Sequence, residues 1–571
     1  MNINELYSLW CKSAVEDSDL PKELESIADK PTEINDRFYR DLEFGTGGLR
    51  GIIGAGTYRM NIYTVAKATQ GLADYVNSIT SDGKVAIAYD SRNKSDLFAK
   101  TVAGVFAANG IKVYIYSELM PTPMLSFAVR RLECDAGVVI TASHNPGKYN
   151  GYKVYGSDGC QLTLEASEKV LELIEKVDTF DGVRKDNFDI ALKSGKIEYI
   201  ENWLIDEYLD NVQSQTISPD VCANSDFKVI YTPLYGTGNK PVRAILKKVG
   251  IKDVTVVPEQ ELPNGDFPTT PFPNPEIRQV FECALKLAKS VNPDLLLATD
   301  PDCDRVGIAV RSDDDFVLMT GNEVGALLLN YILSRRTELG TMPKNPIAVK
   351  TIVTTALCEK IAANYNCELI NVLTGFKFIG EQIKLLEDKG EESRYVFGFE
   401  ESYGYLAGSY VRDKDAVVGS MLICEMACYY KLQGKTLLDV LAELEAKYGV
   451  YQNSQNSYTC EGQQGMLRMK DIMDNFRKDL PSEIGGYKIV SIFDYETSVN
   501  TEVVSGKTSK ITLPQSNVLE YRLENGASVI IRPSGTEPKI KVYLSSIGKS
   551  KESANLISSK LEKSVKTLMG F

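Results

Sequence analysis

Asp300-Pro-Asp-Cys-Asp304 sets three carboxylates at every second position. In extended backbone alternate side chains point the same way, so three oxygen ligands can converge on one cation. Hard oxygen ligands without an imidazole favour magnesium, manganese or calcium. An EF-hand is excluded, because its sixth and twelfth positions require Gly and Glu and here hold Arg305 and Arg311. A solvated acidic turn is the plainer alternative, but three like charges in five residues are costly without a counter-ion. Arg305, next in line, can orient an anion beside the cation.

Ser143 follows an apolar run in Thr141-Ala-Ser-His-Asn-Pro146. Alone, Ser-His-Asn-Pro also fits an ordinary Asx-type turn. Its neighbour His144 is the only histidine of the chain, and a serine becomes a useful nucleophile only when something activates it. Lys148 and Lys153 can steer phosphate or move protons, although two exposed lysines are usually a solvated face. Arg532-Pro-Ser-Gly-Thr-Glu-Pro-Lys539 contains almost nothing apolar. Two prolines stiffen it, Gly535 permits close backbone approach, and Arg532, Ser534, Thr536 and Lys539 offer donors, as an anion nest requires. An ordinary hairpin turn would not need both cations and both hydroxyls. Phe44-Gly-Thr-Gly-Gly-Leu-Arg-Gly51 breaks the dinucleotide register, since Arg50 stands where the last Gly belongs. Arg50 framed by glycines reads as a further anion contact. No Walker A sequence occurs, which disfavours a P-loop nucleotide enzyme. The residues point to metal-assisted phosphoryl transfer.

The elements that position these loops recur three times. Apolar runs at residues 84–89, 111–116 and 136–140 read as buried strands separated by helix-sized segments. The succession returns at 227–231, 254–257 and 295–298, and again at 347–350, 369–372 and 395–397. A βαβ unit with a parallel sheet has this form. Each third strand runs into a reactive loop: Thr141–Pro146, Thr299–Arg305 and Phe399–Gly404. Ligands collect beyond the carboxyl ends of strands in open α/β sheets, so the three loops predict one shared cleft. The longest loop-like region, Glu261–Glu276, carries five prolines. The last ~115 residues, with a helical start and short strands, read as a separate α+β domain.

Length agrees: 571 residues at ~150 per domain give about four domains. We place them at 1–215, 216–315, 316–450 and 451–571. The net charge of −13, from 64 Lys+Arg against 77 Asp+Glu, disfavours nonspecific nucleic-acid or anionic-membrane binding. One histidine excludes multi-histidine zinc or iron sites. The eleven scattered cysteines contain no C-x-x-C pair and fit a reducing cytoplasm; Cys424 and Cys428, one helical turn apart, read as buried thiols. No apolar run approaches the ~18 residues of a membrane span, and the first residues lack a signal-peptide pattern. A cytoplasmic protein is expected.

Thr-Ala-Ser-His-Asn-Pro, Asp-Pro-Asp-Cys-Asp-Arg, Glu-Glu-Ser-Tyr-Gly and Arg-Pro-Ser-Gly-Thr-Glu-Pro-Lys, in this order, resemble the α-D-phosphohexomutases, in the phosphoglucomutase/phosphopentomutase-like branch. The resemblance spans roughly residues 40 to 545. It implies three topologically related α/β domains with mixed, largely parallel sheets and a fourth, smaller α+β domain around a central cleft. It also implies that Ser143 is a phosphoserine and that Asp300, Asp302 and Asp304 bind one magnesium with a phosphoserine oxygen. Arg305 would sit beside them, Glu400 and Ser402 would read sugar hydroxyls, and Arg532, Ser534, Gly535 and Thr536 would hold the non-reacting phosphate. Lys153 matches a general acid/base lysine and Lys377 a lysine of phosphoglucomutases; Arg50 and His144 complete the catalytic set. Phe376 stands where some relatives have histidine. Phe399 replaces a common glycine, which bears on hexose selectivity.

The implied reaction interconverts sugar 1-phosphate and 6-phosphate through a sugar bisphosphate, which also serves as activator, with the fourth domain closing over the site. Glucose is the first substrate and ribose or deoxyribose 1-/5-phosphate the second. A phosphatase and a non-catalytic sugar-phosphate-binding regulator are the rivals; the first expects Thr or Val where Asp304 stands, and the second expects a lost Ser143 or aspartate. Small sugar phosphates are the expected partners of a monomer or homodimer.

Overall fold

Strands that read as apolar without alternation are strands buried on both faces, and the centre of the first sheet is built from them. A computed structural model describes residues 2–571 except Thr46, Asp314, Glu461, Asp479 and 535–538. The first sheet contains Gly48–Ile52 (β1), Lys84–Tyr89 (β2), Lys112–Ile115 (β3), Ala136–Ile140 (β4), Tyr149–Gly156 (β5) and Ile197–Tyr199 (β6), in the order β1-β5-β4-β2-β3-β6. All five residues of β4 are buried. β2 runs parallel to β3 and β4, while β5 is antiparallel to β4 and β1.

The second sheet repeats the pattern with Lys228–Thr232 (β7), Asp253–Val256 (β8), Leu295–Thr299 (β9), Val306–Ser312 (β10) and Asp315–Met319 (β11). β7 is parallel to β8 and β9, and β10 is antiparallel to β9 and β11. Thus β3-β2-β4-β5 and β8-β7-β9-β10 share one topology. In the third repeat Ile347–Thr351 (β12) pairs in parallel with Glu368–Val372 (β13), and Tyr395–Glu400 (β14) pairs antiparallel with Gly404–Leu406 (β15).

The C-terminal region is different in kind. Val450–Thr459 (β16), Glu483–Ile484 (β17), Tyr487–Asp494 (β18), Val499–Glu502 (β19), Thr508–Lys510 (β20), Leu519–Leu523 (β21), Ser528–Pro533 (β22) and Lys539–Gly548 (β23) form an antiparallel sheet in the order β16-β23-β22-β21-β18-β19-β20, with β17 on β18. Helices Gly462–Lys478 and Lys551–Leu568 contribute Met473, Phe476, Leu561 and Val565 to a core with Val529, Ile531 and Val542.

The chain divides into two compact units, Met1–Gly321 with Ile379–Gly434 and Asn322–Phe378 with Lys435–Phe571. Within the second, Val353 and Leu373 pack with Tyr495, Ile530 and Tyr543. No helix among the described residues is long and apolar enough to cross a membrane.

Three N-terminal helices, Ile3–Ser13 (α1), Asp19–Ser26 (α2) and Pro31–Phe38 (α3), join the first core. α1 starts at a capping box in which Asn2 and Glu5 satisfy each other's backbone N–H. It buries Trp10 completely, edge-on to Phe38, Tyr63 and Phe180 at centroid distances of 5.8, 5.7 and 5.4 Å. Emptying that position leaves a cavity that rigid neighbours do not close. Trp10→Ala is therefore expected to lower unfolding stability by about 3–5 kcal/mol, measured by denaturant titration of both proteins.

Candidate active site

Ser143 stands three residues beyond buried β4, in a left-handed backbone conformation (φ 52°) that side chains other than Gly seldom adopt. Its N–H donates to Thr141 Oγ1 at 2.8 Å. Its hydroxyl donates to Asp300 Oδ2 at 2.9 Å and lies 3.1 Å from His144 Nδ1. Desolvation, with Arg305 and Arg50 nearby, holds the His144 imidazole well below its ordinary pKa, so it is neutral at pH 7. Arg50, on β1, donates to Asn145 Oδ1 at 3.4 Å in the same loop.

The aspartate loop follows β9, as expected, but it is not extended. Residues 301–304 turn, with Cys303 at φ 53°, so the carboxylates converge through turns and not through alternation along a strand. The turn is seated tightly: Thr237 N–H donates to Pro301 O at 2.9 Å, and a Cβ at Gly236 would lie 2.5 Å from Pro301 Cα. Asp300, Asp302 and Asp304 are buried, and one oxygen from each lies within 4.8 Å of the others.

Burying three carboxylates side by side costs free energy unless cations or donors face them. Lys153 Nζ meets Asp302 Oδ2 at 2.9 Å and Asp304 Oδ2 at 3.6 Å. Lys153 is thus no solvated surface lysine, whereas Lys148 is exposed. Lys414 Nζ meets Asp304 Oδ2 at 3.0 Å and Asp413 Oδ1 at 3.2 Å. Thr122, at the start of helix Thr122–Arg131, donates N–H to Asp302 O at 2.9 Å and Oγ1–H to Asp302 Oδ2 at 3.0 Å.

The electrostatics separate the three acids. Burial, reinforced by Asp302 and Asp304, pushes Asp300 well above the usual carboxylate range. Burial acts the same way on Asp302, but Lys153 overrides it and holds that carboxyl low. Burial and Asp302 both work against ionisation of Asp304, yet Lys414, Lys153 and Arg305 together keep it below its ordinary value. Burial also opposes the charge on Lys153 and Lys414, and the carboxylates more than compensate in both.

The trio suits a divalent cation. Among the described residues it is the one group of carboxylate, thiol or imidazole ligands gathered closely enough, and buried Asp302 Oδ1 and Asp304 Oδ1 receive no hydrogen bond. Calorimetric titration with Mn2+ is expected to show one site per chain that Asp302→Asn removes; unchanged binding by that variant would contradict the assignment.

Arg305 links this loop to the third one. Its Nη1 donates to Ser402 O at 2.8 Å and pairs with Glu276 Oε1 at 3.3 Å, while Nε is 3.6 Å from Asp304 Oδ1. Glu400, at the end of β14, is buried, and burial pushes its carboxyl up to about 7 against the pull of Lys414. Phe399 points elsewhere: it is buried in a stack with Phe397 and Tyr405, centroids 5.5 and 6.3 Å away. Its place in the sequence therefore does not put an aromatic ring beside Glu400.

Ser143, His144, Arg50, Lys153, Asp300, Asp302, Asp304, Arg305, Glu400 and Ser402 all belong to the first unit. The second unit holds the rest. Lys377 Nζ lies 5.2 Å over the Phe378 ring. Arg532 Nη1 donates to Thr374 Oγ1, and Ser534 N–H donates to Lys539 O at 2.8 Å. Gly535 and Thr536 lie outside the described residues.

Lys414, Thr122 and Glu276 escaped the sequence reading. A signal existed for Lys414: Arg412-Asp-Lys-Asp415 puts four charges directly before an apolar helix, Ala416–Lys431. Asp415 caps that helix at Val417 N and takes hydrogen bonds from Tyr208 and Tyr410 at 2.8 and 2.6 Å. Asp413 accepts from Tyr155 at 2.7 Å. Four consecutive charged residues that are all buried must meet partners, and here the partners lead to the aspartate loop.

Comparison with known proteins gives consistent matches. Models described as phosphoglucomutase/phosphomannomutase alpha/beta/alpha domains I, II and III match residues 41–181, 206–313 and 320–448, and the C-terminal domain model matches 477–560. A phosphoglucomutase of Staphylococcus aureus (strain MRSA252) is 39% identical over 541 residues, covering 94% of this chain and 95% of the relative. One from Staphylococcus epidermidis is 39% identical over 505 residues, with coverage of 88% and 90%. The open form of Paramecium pp63/parafusin shares the fold at TM-score 0.69 and 18% identity, covering 93% of this chain and 97% of that one. A Burkholderia thailandensis phosphoglucomutase/phosphomannomutase family protein does so at TM-score 0.67 and 16% identity, with coverage of 92% and 97%.

Proposed function

The chain belongs to the phosphoglucomutase/phosphomannomutase family, and on that premise we propose that it interconverts glucose 1-phosphate and glucose 6-phosphate through a phosphorylated Ser143. One observation carries this reading: the Ser143 hydroxyl lies 2.9 Å from a carboxylate of a buried three-aspartate group that two lysines already face.

The free hydroxyl of the sugar phosphate attacks the phosphorus on Ser143. The bond from phosphorus to Oγ breaks, and a sugar bisphosphate forms. After reorientation, the Ser143 oxygen attacks the other phosphoryl group and releases the isomeric monophosphate. Each half gives up one hydroxyl proton and consumes one. Lys153, kept charged by Asp302 and Asp304, is the proposed carrier, arranged to donate first. Arg305 and Lys414 supply fixed positive charge where negative charge gathers. Glu400 and Ser402 orient the sugar; Arg532 and Ser534, with Gly535 and Thr536, take the phosphate that is not reacting.

Magnesium is the cation that fits buried carboxylate oxygens used with phosphate. Asp300, Asp302, Asp304 and the Ser143 oxygen would hold it, and when bound it offsets charge on the transferring group. Glucose 1,6-bisphosphate is the proposed activator, because it can phosphorylate Ser143. The pentose alternative is not favoured, since the similar curated proteins are phosphoglucomutases.

A coupled mutase assay with magnesium and the matching bisphosphate tests the reading. We expect kcat/KM for glucose 1-phosphate to exceed that for ribose 1-phosphate at least about tenfold, and Ser143→Ala to lose on the order of 10³-fold or more. Full activity in Ser143→Ala would overturn the mechanism; pentose preference would overturn the substrate. Lys153→Met is expected to lower kcat about 10²–10⁴-fold with KM little changed; normal turnover would remove only the proton-carrier role.

A further inference from the structure

Arg92 touches neither the aspartate trio nor any group assigned above to the sugar, yet it is wholly buried beside Ser143. Its guanidinium donates to four carbonyls of the segment that joins β4 to the start of β5. Nη2 reaches Ser143 O and Asn145 O, each at 2.5 Å, and Nη1 reaches Pro146 O at 2.9 Å and Tyr149 O at 3.0 Å. Nε faces Asp90 Oδ2 at 3.3 Å. The other Asp90 oxygen accepts from Arg92 N at 2.9 Å and Ser95 Oγ at 2.8 Å, so the carboxylate fixes the direction of the fork. Only a planar five-donor group can meet four acceptors in this way; an ammonium has three donors on one atom.

The long proline-rich loop singled out in the sequence covers this fork. Phe267, buried and at φ 47°, places its ring centroid 5.1 Å from Arg92 Cζ. The adjacent Asp266 accepts from Asn93 Nδ2 at 2.7 Å. The backbones approach so closely that a Cβ at Gly147 would lie 2.7 Å from Gly265 O. At its other end the same loop offers Glu276 to Arg305. One loop of the second α/β domain thus braces the serine loop and the arginine that follows the aspartates.

Ser143 needs such bracing. Its left-handed conformation is disfavoured for a side chain, and relaxing it would turn the hydroxyl away from Asp300. We propose that Arg92, aimed by Asp90 and capped by Phe267, is a positioning residue that holds the Ser143 peptide in its reactive conformation. It thereby sets the rate of phosphoryl transfer to and from the serine without binding the sugar. This rests on Ser143 being the phosphoryl carrier.

Rapid-quench labelling with [32P]glucose 1,6-bisphosphate, beside steady-state kinetics and thermal melting, tests it. Wild-type enzyme must first label at Ser143; turnover without label would overturn the carrier reading and this proposal with it. Given labelling, Arg92→Lys is expected to slow it about 100-fold, the scale of a 1 Å misplacement. Phe267→Leu is expected to slow it about tenfold by removing the ring under the cation. In both, KM for glucose 1-phosphate stays within about twofold, and guanidinium, but not ammonium, restores labelling to Arg92→Ala. Wild-type labelling rates in either folded variant, or a raised KM with unchanged kcat, would overturn the positioning role. Should Arg92→Lys fail to fold, Phe267→Leu decides alone.

Discussion

Three carboxylates within five residues, all out of water, repel one another strongly enough that most of the surrounding structure answers to them. At low effective dielectric each like-charge contact is costly, so the chain brings cations from well-separated places in the sequence. Lys153 comes from β5, Lys414 from the charged segment before helix Ala416–Lys431, and Arg305 from the loop itself. These contacts tie the first repeat and the third-repeat hairpin to the second. The same charge density makes the place fit for a divalent cation and a phosphoryl group, because a site that already balances opposing charges can exchange one partner for another at little cost.

Repetition of one sheet topology explains how distant loops become neighbours. In the first two repeats a buried parallel strand delivers its loop at the carboxyl edge, and in all three an antiparallel strand returns. β4 delivers Ser143, β9 delivers Asp300, and β14 ends at Glu400. The returning strands also contribute: β5 carries Lys153 back past the aspartates. Chemistry is thus distributed over strand ends, while Arg92 and the proline-rich loop brace the serine loop, where Ser143 is held in a left-handed conformation.

Much of this could be read from the chain. The three strand triplets were visible as apolar runs without alternation, and the three reactive loops followed from them. What failed had physical reasons. The spacing of the aspartates predicts convergence along an extended strand, but a turn with Cys303 in a left-handed conformation gathers them; residue spacing alone does not distinguish the two. Lys153 stands out as a proton-moving candidate, but the sequence does not show its carboxylate partners, because these lie across a sheet. Lys414 sits within a charge run that ordinarily means solvated surface, and only its burial changes that meaning. Phe399, whose replacement of a common glycine bears on sugar choice, stacks with Phe397 and Tyr405. Arg92 stands in Asp90-Ser-Arg92 directly after β2, but its role is not legible there, since most of its partners are backbone carbonyls.

The most direct test is to find where the phosphoryl group rests. Intact-mass and peptide mass spectrometry of the purified protein, before and after glucose 6-phosphate in magnesium, would locate it. The account predicts one phosphoryl group per chain, on Ser143, that leaves with excess monophosphate and returns with bisphosphate. Sustained mutase turnover with Ser143 never phosphorylated, or with the group on another residue, would contradict it.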